Sequence, residues 1–480
     1  MERRDHRFPE RGQLSIKILL LSAPYLPEYM RNARCDFVSL SATQWYPILL
    51  GYCGAYLEGQ GHTVKLVDAP AHYLDHDATR RIVRAYRPDL LVLYTGYMSE
   101  ENDLAFADPL VEELGCDAVI VGPYASINPE QTLTRARVID KLIVGQFEHP
   151  VGELAAGRAP DEIRNLMSKT RNKITANPAR PYLSSTELDA IPFVSRFFSK
   201  QLDIRRYKTP SEFFPFMDMM VGRGCQWGMC TYCLWVHTYV KGMTYQTRSI
   251  SNVVEEFRFI VKELPQIRSV MLQDDTFTEE RAHEFSEAKL AAGIRLPWSC
   301  YARANMSYEV LVLMKRAGCR NLHVGYESAD PEVLKRIKKG LSVERMTRFT
   351  TDAKRAGLRI HGDFAFGFPG ETPERARKTI EWACRMNPDT AQFQLMIPFP
   401  GTPFYDEMHA NGWLNTEGQP DMPQFSNAQI RAMAKRAYRA FYFSPQYFWK
   451  GIRHPYEHFF GRLKTISRAI PAMLWKEWQV

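Results

Sequence analysis

From residue 16 onward, short apolar runs alternate with longer amphipathic stretches. The runs "IKILLLS", "HTVKLVD", "DLLVLYTG", "CDAVIVG" and "DKLIVGQFE" have the unbroken apolar character of strands buried on both faces. Between them "YPILLGYCGAYLEGQG", closed by Gly61, residues 77 to 87, and Asp103 to Leu114 read as helices. This alternation predicts an α/β, doubly wound parallel sheet over residues 16–155. Ligands of such sheets sit beyond the carboxyl ends of the strands. Those ends hold Ser22 to Pro24, Asp68 to Pro70, Thr95 and Gly96, Gly122 and Pro123, and Gly145 and Gln146. Small residues there suit a large planar ligand, and they equally suit ordinary turns.

Pro160, Pro178, Pro181, Pro192 and Pro210 break the pattern over residues 156–212, which read as a linker. Strand and helix then alternate again. "FPFMDMMVGRG", "IRSVMLQDDTF", "LPWSCYARAN", "CRNLHVGYES", "RIHGDFAFGFPGET" and "TAQFQLMIPFPGT" each end in polar or glycine-rich residues. Six such units predict a partial (β/α)6 barrel over 213–405, with its chemistry at the C-terminal mouth. Residues 406–480 read as helical. Eleven of the last forty residues are aromatic, with six Lys or Arg against two Glu. Such a tail packs across the preceding domain or lies at a membrane interface. Residues 1–15 are charged and read as a disordered lead-in rather than a signal peptide.

Composition narrows the class. A chain of 480 residues exceeds one ordinary core, so two or three domains are expected. Lys and Arg (62) nearly match Asp and Glu (54), which argues against a nucleic-acid binder. No run approaches the ~20 apolar residues that span a bilayer. Six of the nine cysteines (Cys35, Cys53, Cys116, Cys300, Cys319, Cys384) lie scattered among apolar neighbours. They read as small buried hydrophobes, not as a disulfide framework, and imply a reducing, cytoplasmic setting.

The other three fall together in "GRGCQWGMCTYCLW", as Cys225, Cys230 and Cys233. Four thiolates would close a zinc site or fill every iron of a cubane cluster. Three thiolates can hold three irons of a 4Fe–4S cluster and leave the fourth iron free to bind a substrate or cofactor. His237 would complete a Cys3His zinc site, but no second ligand pair follows, so a non-catalytic zinc or iron–sulfur protein is the lesser reading.

With these cysteines after the first barrel strand, the sequence resembles the radical S-adenosylmethionine (SAM) superfamily, in the branch with an N-terminal cobalamin-binding domain. The family spacing is C-x-x-x-C-x-x-C, and this chain has one residue more before Cys230. The resemblance implies a cluster held by Cys225, Cys230 and Cys233 that reductively cleaves SAM to a 5′-deoxyadenosyl radical. Tyr232 matches the aromatic that lies against adenine. "LQDDTF" offers Gln273 and Asp274 to the SAM amine, "WSCYARAN" offers Arg303 to its carboxylate, and "VGYES" offers Glu327 and Ser328. "FGFPGET", with Gly367 and Gly370, matches the motif that packs near adenine. Over residues 16 to 415 the chain looks most like the hopanoid-associated radical SAM (HpnJ) group, on "CTYCLWVHT", "DDTFTEE", "VGYES", "IKKGL", "FPGET" and "PFPGTPFY".

That likeness implies carbon rearrangement or cyclisation in a lipid-linked or polyol substrate, with cobalamin-dependent C-methylation as the alternative. It also implies a flavodoxin- or ferredoxin-type one-electron reductant and peripheral contact with the inner face of the membrane through the tail. Cobalamin would meet Thr95, Gly96, Gly122 and Gly145. The D-x-H-x-x-G signature for a lower histidine ligand is absent. No catalytic residue beyond these binding positions is assigned.

Overall fold

The computed structural model describes residues 15–32, 36–39, 43–171 and 173–453. They divide into two compact units. The first takes its residues from the stretch up to Val38, from Gln44–Leu183 and from Glu187–Arg206. The second runs from Tyr207 and includes short pieces at 39–43 and 184–186.

In the first unit, β1 (Lys17–Ser22), β2 (Thr63–Asp68), β3 (Leu90–Tyr94), β4 (Asp117–Val121), β5 (Lys141–Ile143), β6 (Leu166–Thr170) and β7 (Lys173–Ala176) form one sheet. Its order is β2-β1-β3-β4-β5-β6-β7. The first five strands are parallel and the last two antiparallel. Ile18 to Leu21 and Leu91 to Leu93 are fully buried, which explains why these strands read as apolar on every position. The order in which successive strands join the sheet reverses between β1 and β3, the switch point where doubly wound sheets bind ligands.

Most of the stretch expected to be a linker, up to Leu183 and from Glu187 to Arg206, is instead part of this unit. It supplies β6, β7 and the helices Ser185–Ala190 and Val194–Gln201. A Cβ on Gly51 or Gly54 would lie 2.2 Å and 2.1 Å from the rings of Phe198 and Phe197. The smooth glycine face of helix Ile48–Gly59 is therefore the seat of the Val194–Gln201 helix. The apolar pattern does not reveal β6 and β7 because both are short, lie at or next to the sheet edge, and carry Lys, Ser and Thr. The hairpin of Tyr29–Arg31 and Asp36–Val38 was not foreseen either.

In the second unit, β8 (Phe216–Met219), β9 (Ser269–Phe277), β10 (Trp298–Ala302), β11 (Cys319–Glu327), β12 (Arg359–Phe366) and β13 (Thr390–Leu395) lie side by side in chain order. All neighbours are parallel, which makes the expected open (β/α)6 barrel. Ser249, Thr278, Ser342 and Thr372 cap its helices, each side chain accepting a backbone N–H of the first turn. Strand alternation then sorts the side chains. Trp298, Tyr326 and Phe393 pack on Phe285, Trp382 and Phe441 of the surrounding helices. The intervening positions, including Asn321, His323, His361, Asp363, Thr390 and Gln392, turn to the lumen.

Helices Pro403–Ala410, Asn427–Tyr442 and Pro445–Arg453 follow. The charged N-terminal lead-in before residue 15, the tail beyond residue 453 and Cys35 lie outside the described residues. Among the described residues no helix is long and apolar enough to cross a membrane.

Candidate active site

The cysteine segment leaves β8 and is pinned at both ends. Gly222–Gly224 and Tyr245–Thr247 pair antiparallel, Gly222 opposite Thr247 and Gly224 opposite Tyr245. Carboxylates of β9 fasten this ribbon to the barrel. Asp274 Oδ1 accepts Val221 N at 2.7 Å, its Oδ2 accepts Tyr245 Oη at 3.0 Å, and Asp275 Oδ2 accepts Gly224 N at 2.6 Å. Cys225 and Cys230 are buried, Cys233 is partly so, and all three are free. Cys225 Sγ lies 3.5 Å from Thr276 Oγ1. Burial, then the neighbouring Cys230, pushes the Cys233 thiol up to about 12, with Asp275 and Cys225 adding to it. Three free thiols gathered on one loop are a ligand set for a multiply charged iron centre, which binds them as thiolates. His237 does not join the sulfurs: its Nε2 lies 2.9 Å from the carbonyl oxygen of Cys230, closing the turn.

A second segment locks the loop from the side. Thr231 N donates to Ile337 O at 3.1 Å, and Trp227 Nε1 donates to Lys338 O at 2.8 Å. Gly340 has φ +67°, and a Cβ there would fall 2.1 Å from the Trp227 ring. Arg303 donates to Lys339 O and lies 5.0 Å over the same indole. It therefore fastens two loops together, and the part expected of it toward a SAM carboxylate has no support in these contacts.

Between the loops stands a buried polar group. Lys339 Nζ donates to Glu327 Oε1 at 2.9 Å and to Tyr232 Oη at 3.1 Å. Glu327 holds a left-handed backbone, φ +65°, at the end of β11. Burial, then Glu327, then Cys230 and Cys233 keep the Tyr232 phenol protonated. Tyr232 packs edge-on against Phe368 at 5.4 Å. Residues from four strand ends thus meet the cysteines. Lys339 and Trp227 escaped sequence reasoning, because no periodicity or spacing ties the "IKKGL" segment to the cysteines.

The remaining candidates separate. Gln273 is buried, and neither its oxygen nor its nitrogen has a partner among the described residues. It is the free polar group of the set. Asp274, next to it on the strand, points the other way and spends both oxygens on the ribbon. Its carboxyl is pushed up to about 6, by burial first. Ser328 is fully buried and turned to a helix, its Oγ 3.2 Å from Thr379 Oγ1 and accepting Asp330 N at 3.1 Å. In the "FGFPGET" loop, Gly367 N donates to Glu371 Oε2 at 2.7 Å, and Gly370 O accepts from Arg375 at 3.0 Å. These glycines shape the turn that carries Phe368.

In the first unit, Tyr94 Oη and Thr95 Oγ1, at the end of β3, are buried without a partner among the described residues. Gly122 has φ +128°, and a Cβ there would lie 2.7 Å from Thr95 O, so its glycine is required by the neighbouring strand end itself. Gly145 N donates to Ser126 Oγ at 2.9 Å. Gly96 is covered: Asp36 Oδ1 would sit 2.1 Å from a Cβ there, held by Tyr29 Oη at 2.8 Å and Met98 N at 3.1 Å. From this hairpin, Arg31 pairs with Asp103 at 2.6 Å and donates to Ser99 and Ser22. The orphaned hydroxyls fit a large polar-rimmed ligand at the switch point, and Gly96 is not open to it.

Residues 219–383 match the sequence profile of the Radical SAM superfamily. The chain is 29% identical to an uncharacterized methyltransferase of Pyrococcus horikoshii over 88% of this chain and 93% of that one. It is 25% identical to the cytidylyl-2-hydroxyethylphosphonate methyltransferase of Streptomyces wedmorensis, over 82% and 84%. Among solved structures, the radical SAM methyltransferase TsrM of Kitasatospora setae superposes with a TM-score of 0.65 at 19% identity, over 90% of this chain and 84% of that one. The profile covers the cysteine loop and the strand ends that surround it, so its cofactors are a 4Fe–4S cluster and SAM. The match over the barrel and these likenesses make the chain a radical SAM enzyme.

Proposed function

We propose that this enzyme is a cobalamin-dependent radical SAM methyltransferase. The observation that carries the reading is the joining of two site types in one chain. One is a three-cysteine loop locked beside Gln273, Tyr232, Glu327 and Lys339; the other is a doubly wound unit with unpartnered hydroxyls at its switch point. Cys225, Cys230 and Cys233 hold the cluster, which supplies the electron for SAM cleavage. Tyr94, Thr95, Gly122 and Gly145 would border the cobalamin, which would supply the methyl-transfer chemistry. Gln273 and the Glu327 carboxylate orient SAM, and Phe368 and Tyr232 exclude water from it. A flavodoxin- or ferredoxin-type protein delivers the electron. The methyltransferase names of both curated relatives support this order of preference over ring formation.

A second reading keeps the lipid-linked carbon rearrangement of the HpnJ group. It is favoured by the helix Pro445–Arg453, which exposes Phe448, Trp449 and Ile452, an apolar face suited to peripheral membrane contact.

Anaerobic reconstitution followed by iron, zinc and cobalt analysis and identification of the adenosyl products tests both. Methylation gives cobalt uptake and S-adenosylhomocysteine alongside 5′-deoxyadenosine. Rearrangement gives 5′-deoxyadenosine and methionine alone. Zinc in place of iron would overturn both readings.

A further inference from the structure

We propose that His323, His361 and Asp363 form a second metal site in the barrel lumen, for a divalent first-row ion such as Zn2+ or Fe2+. His323 on β11 and His361 on β12 are direct cross-strand partners, and Asp363 lies two residues further along the same face. The two imidazole rings are 5.0 Å apart between centroids, and His361 Nε2 lies 3.3 Å from Asp363 Oδ1. One donor atom from each residue falls within 4.8 Å of the other two. A metal at 2.0–2.2 Å from three such donors sets them about 3.0–3.5 Å apart. The His361–Asp363 edge already has that length, and the remaining edges close by rotation of the His323 ring.

The surroundings are those of a ligand set. His361 Nδ1 lies 2.7 Å from Thr390 Oγ1 of β13, which fixes the ring and presents Nε2 to the site. The ring of Tyr301 on β10 walls the other side, 5.2 Å from His323. Two imidazoles and one carboxylate leave open coordination positions and suit borderline metals better than Mg2+ or Ca2+. The site is separate from the cysteines. His323 stands four residues before Glu327 on one strand, about 13 Å deeper at roughly 3.3 Å per residue. An ion there faces the lumen with positions for oxygen ligands of a hydroxyl-, carboxylate- or phosphate-bearing molecule.

The test uses the full chain with its iron–sulfur cluster reconstituted, so that the cysteines are occupied, then exposed to Zn2+ and dialysed. Elemental analysis should find about one zinc per chain, and X-ray absorption at the zinc edge should show only nitrogen and oxygen neighbours. His323→Ala, His361→Gln and Asp363→Asn should each reduce retained zinc to background. Thr390→Val should weaken binding about 10- to 100-fold. No retained zinc in the wild-type chain, sulfur in the zinc shell, or zinc unchanged by these substitutions would overturn the site. Because the wild-type measurement alone can refute it, poorly folding variants do not protect the proposal. Cluster content and SAM cleavage are read independently, so a failed zinc site leaves the radical SAM assignment untouched.

Discussion

Lys339 and Glu327 form a buried ion pair at 2.9 Å, and the same ammonium also reaches the hydroxyl of Tyr232, which stands between Cys230 and Cys233. The carboxylate expected to bind SAM is thus also the counter-ion of a lysine in the segment that clamps the cysteine loop. Removing either partner strands a charge out of water, at a cost of about 3–5 kcal/mol. Glu327→Gln and Lys339→Met should each destabilise the cluster-free protein by about that amount. The double variant should lose clearly less than the sum. Denaturant unfolding of all four proteins checks this, and simple additivity would separate the two residues.

Gln273 has a buried amide without a partner among the described residues, and we assign that amide to SAM. Gln273→Ala should raise the SAM dissociation constant about five- to tenfold, as for loss of one neutral hydrogen bond of about 1 kcal/mol. Iron content should not change. Equilibrium binding to the reconstituted enzyme measures both, and an unaltered affinity removes Gln273 from the site.

Gly340→Ala combines a left-handed backbone with a collision against Trp227. The two effects together should cost about 2–4 kcal/mol. Because Trp227 would be displaced from the Lys338 carbonyl, the variant should also lose iron faster on dialysis against a chelator. Equal retention of iron would show that the clamp does not support the cluster.

Glu371 is fully buried, with one oxygen held by Gly367 N and Phe368 N and the other without a partner among the described residues. Burial raises its carboxyl from the usual 4.5 to about 8. Between those values the unfolded chain has released a proton that the folded chain keeps, so stability falls as pH rises through the window and levels off above it. Glu371→Gln should remove that slope, with wild type gaining on the variant as pH drops from about 8 to 5 at up to about 1.4 kcal/mol per unit. Urea midpoints across this range are the measurement; parallel curves would contradict the buried acid.

Both sheets could be read from the chain because their strands are apolar enough to stand out from the helices between them. The edge strand β7 and its neighbour β6 could not, since about half of their positions face water and most of these carry Lys or Thr. The cysteines announced themselves by type and proximity. For the flanking residues, motif position outran strand geometry. The motif places Gln273 and Asp274 together, yet adjacent strand residues face opposite sides, and only one of them can reach the lumen. Lys339 was invisible for another reason: its meeting with Glu327 depends on how a loop folds back across the barrel, which no local pattern encodes.

The ribbon that pairs Gly222–Gly224 with Tyr245–Thr247 makes the cysteine segment a cassette with a closed base. When the two ends of a loop are bonded to each other, an inserted residue lengthens its tip and leaves the frame that carries it unstrained. The additional residue between Cys225 and Cys230 is of that kind. Spacing within the cassette can drift from one protein to another without asking the barrel to adjust, and the three sulfurs need only find the same corner of the mouth.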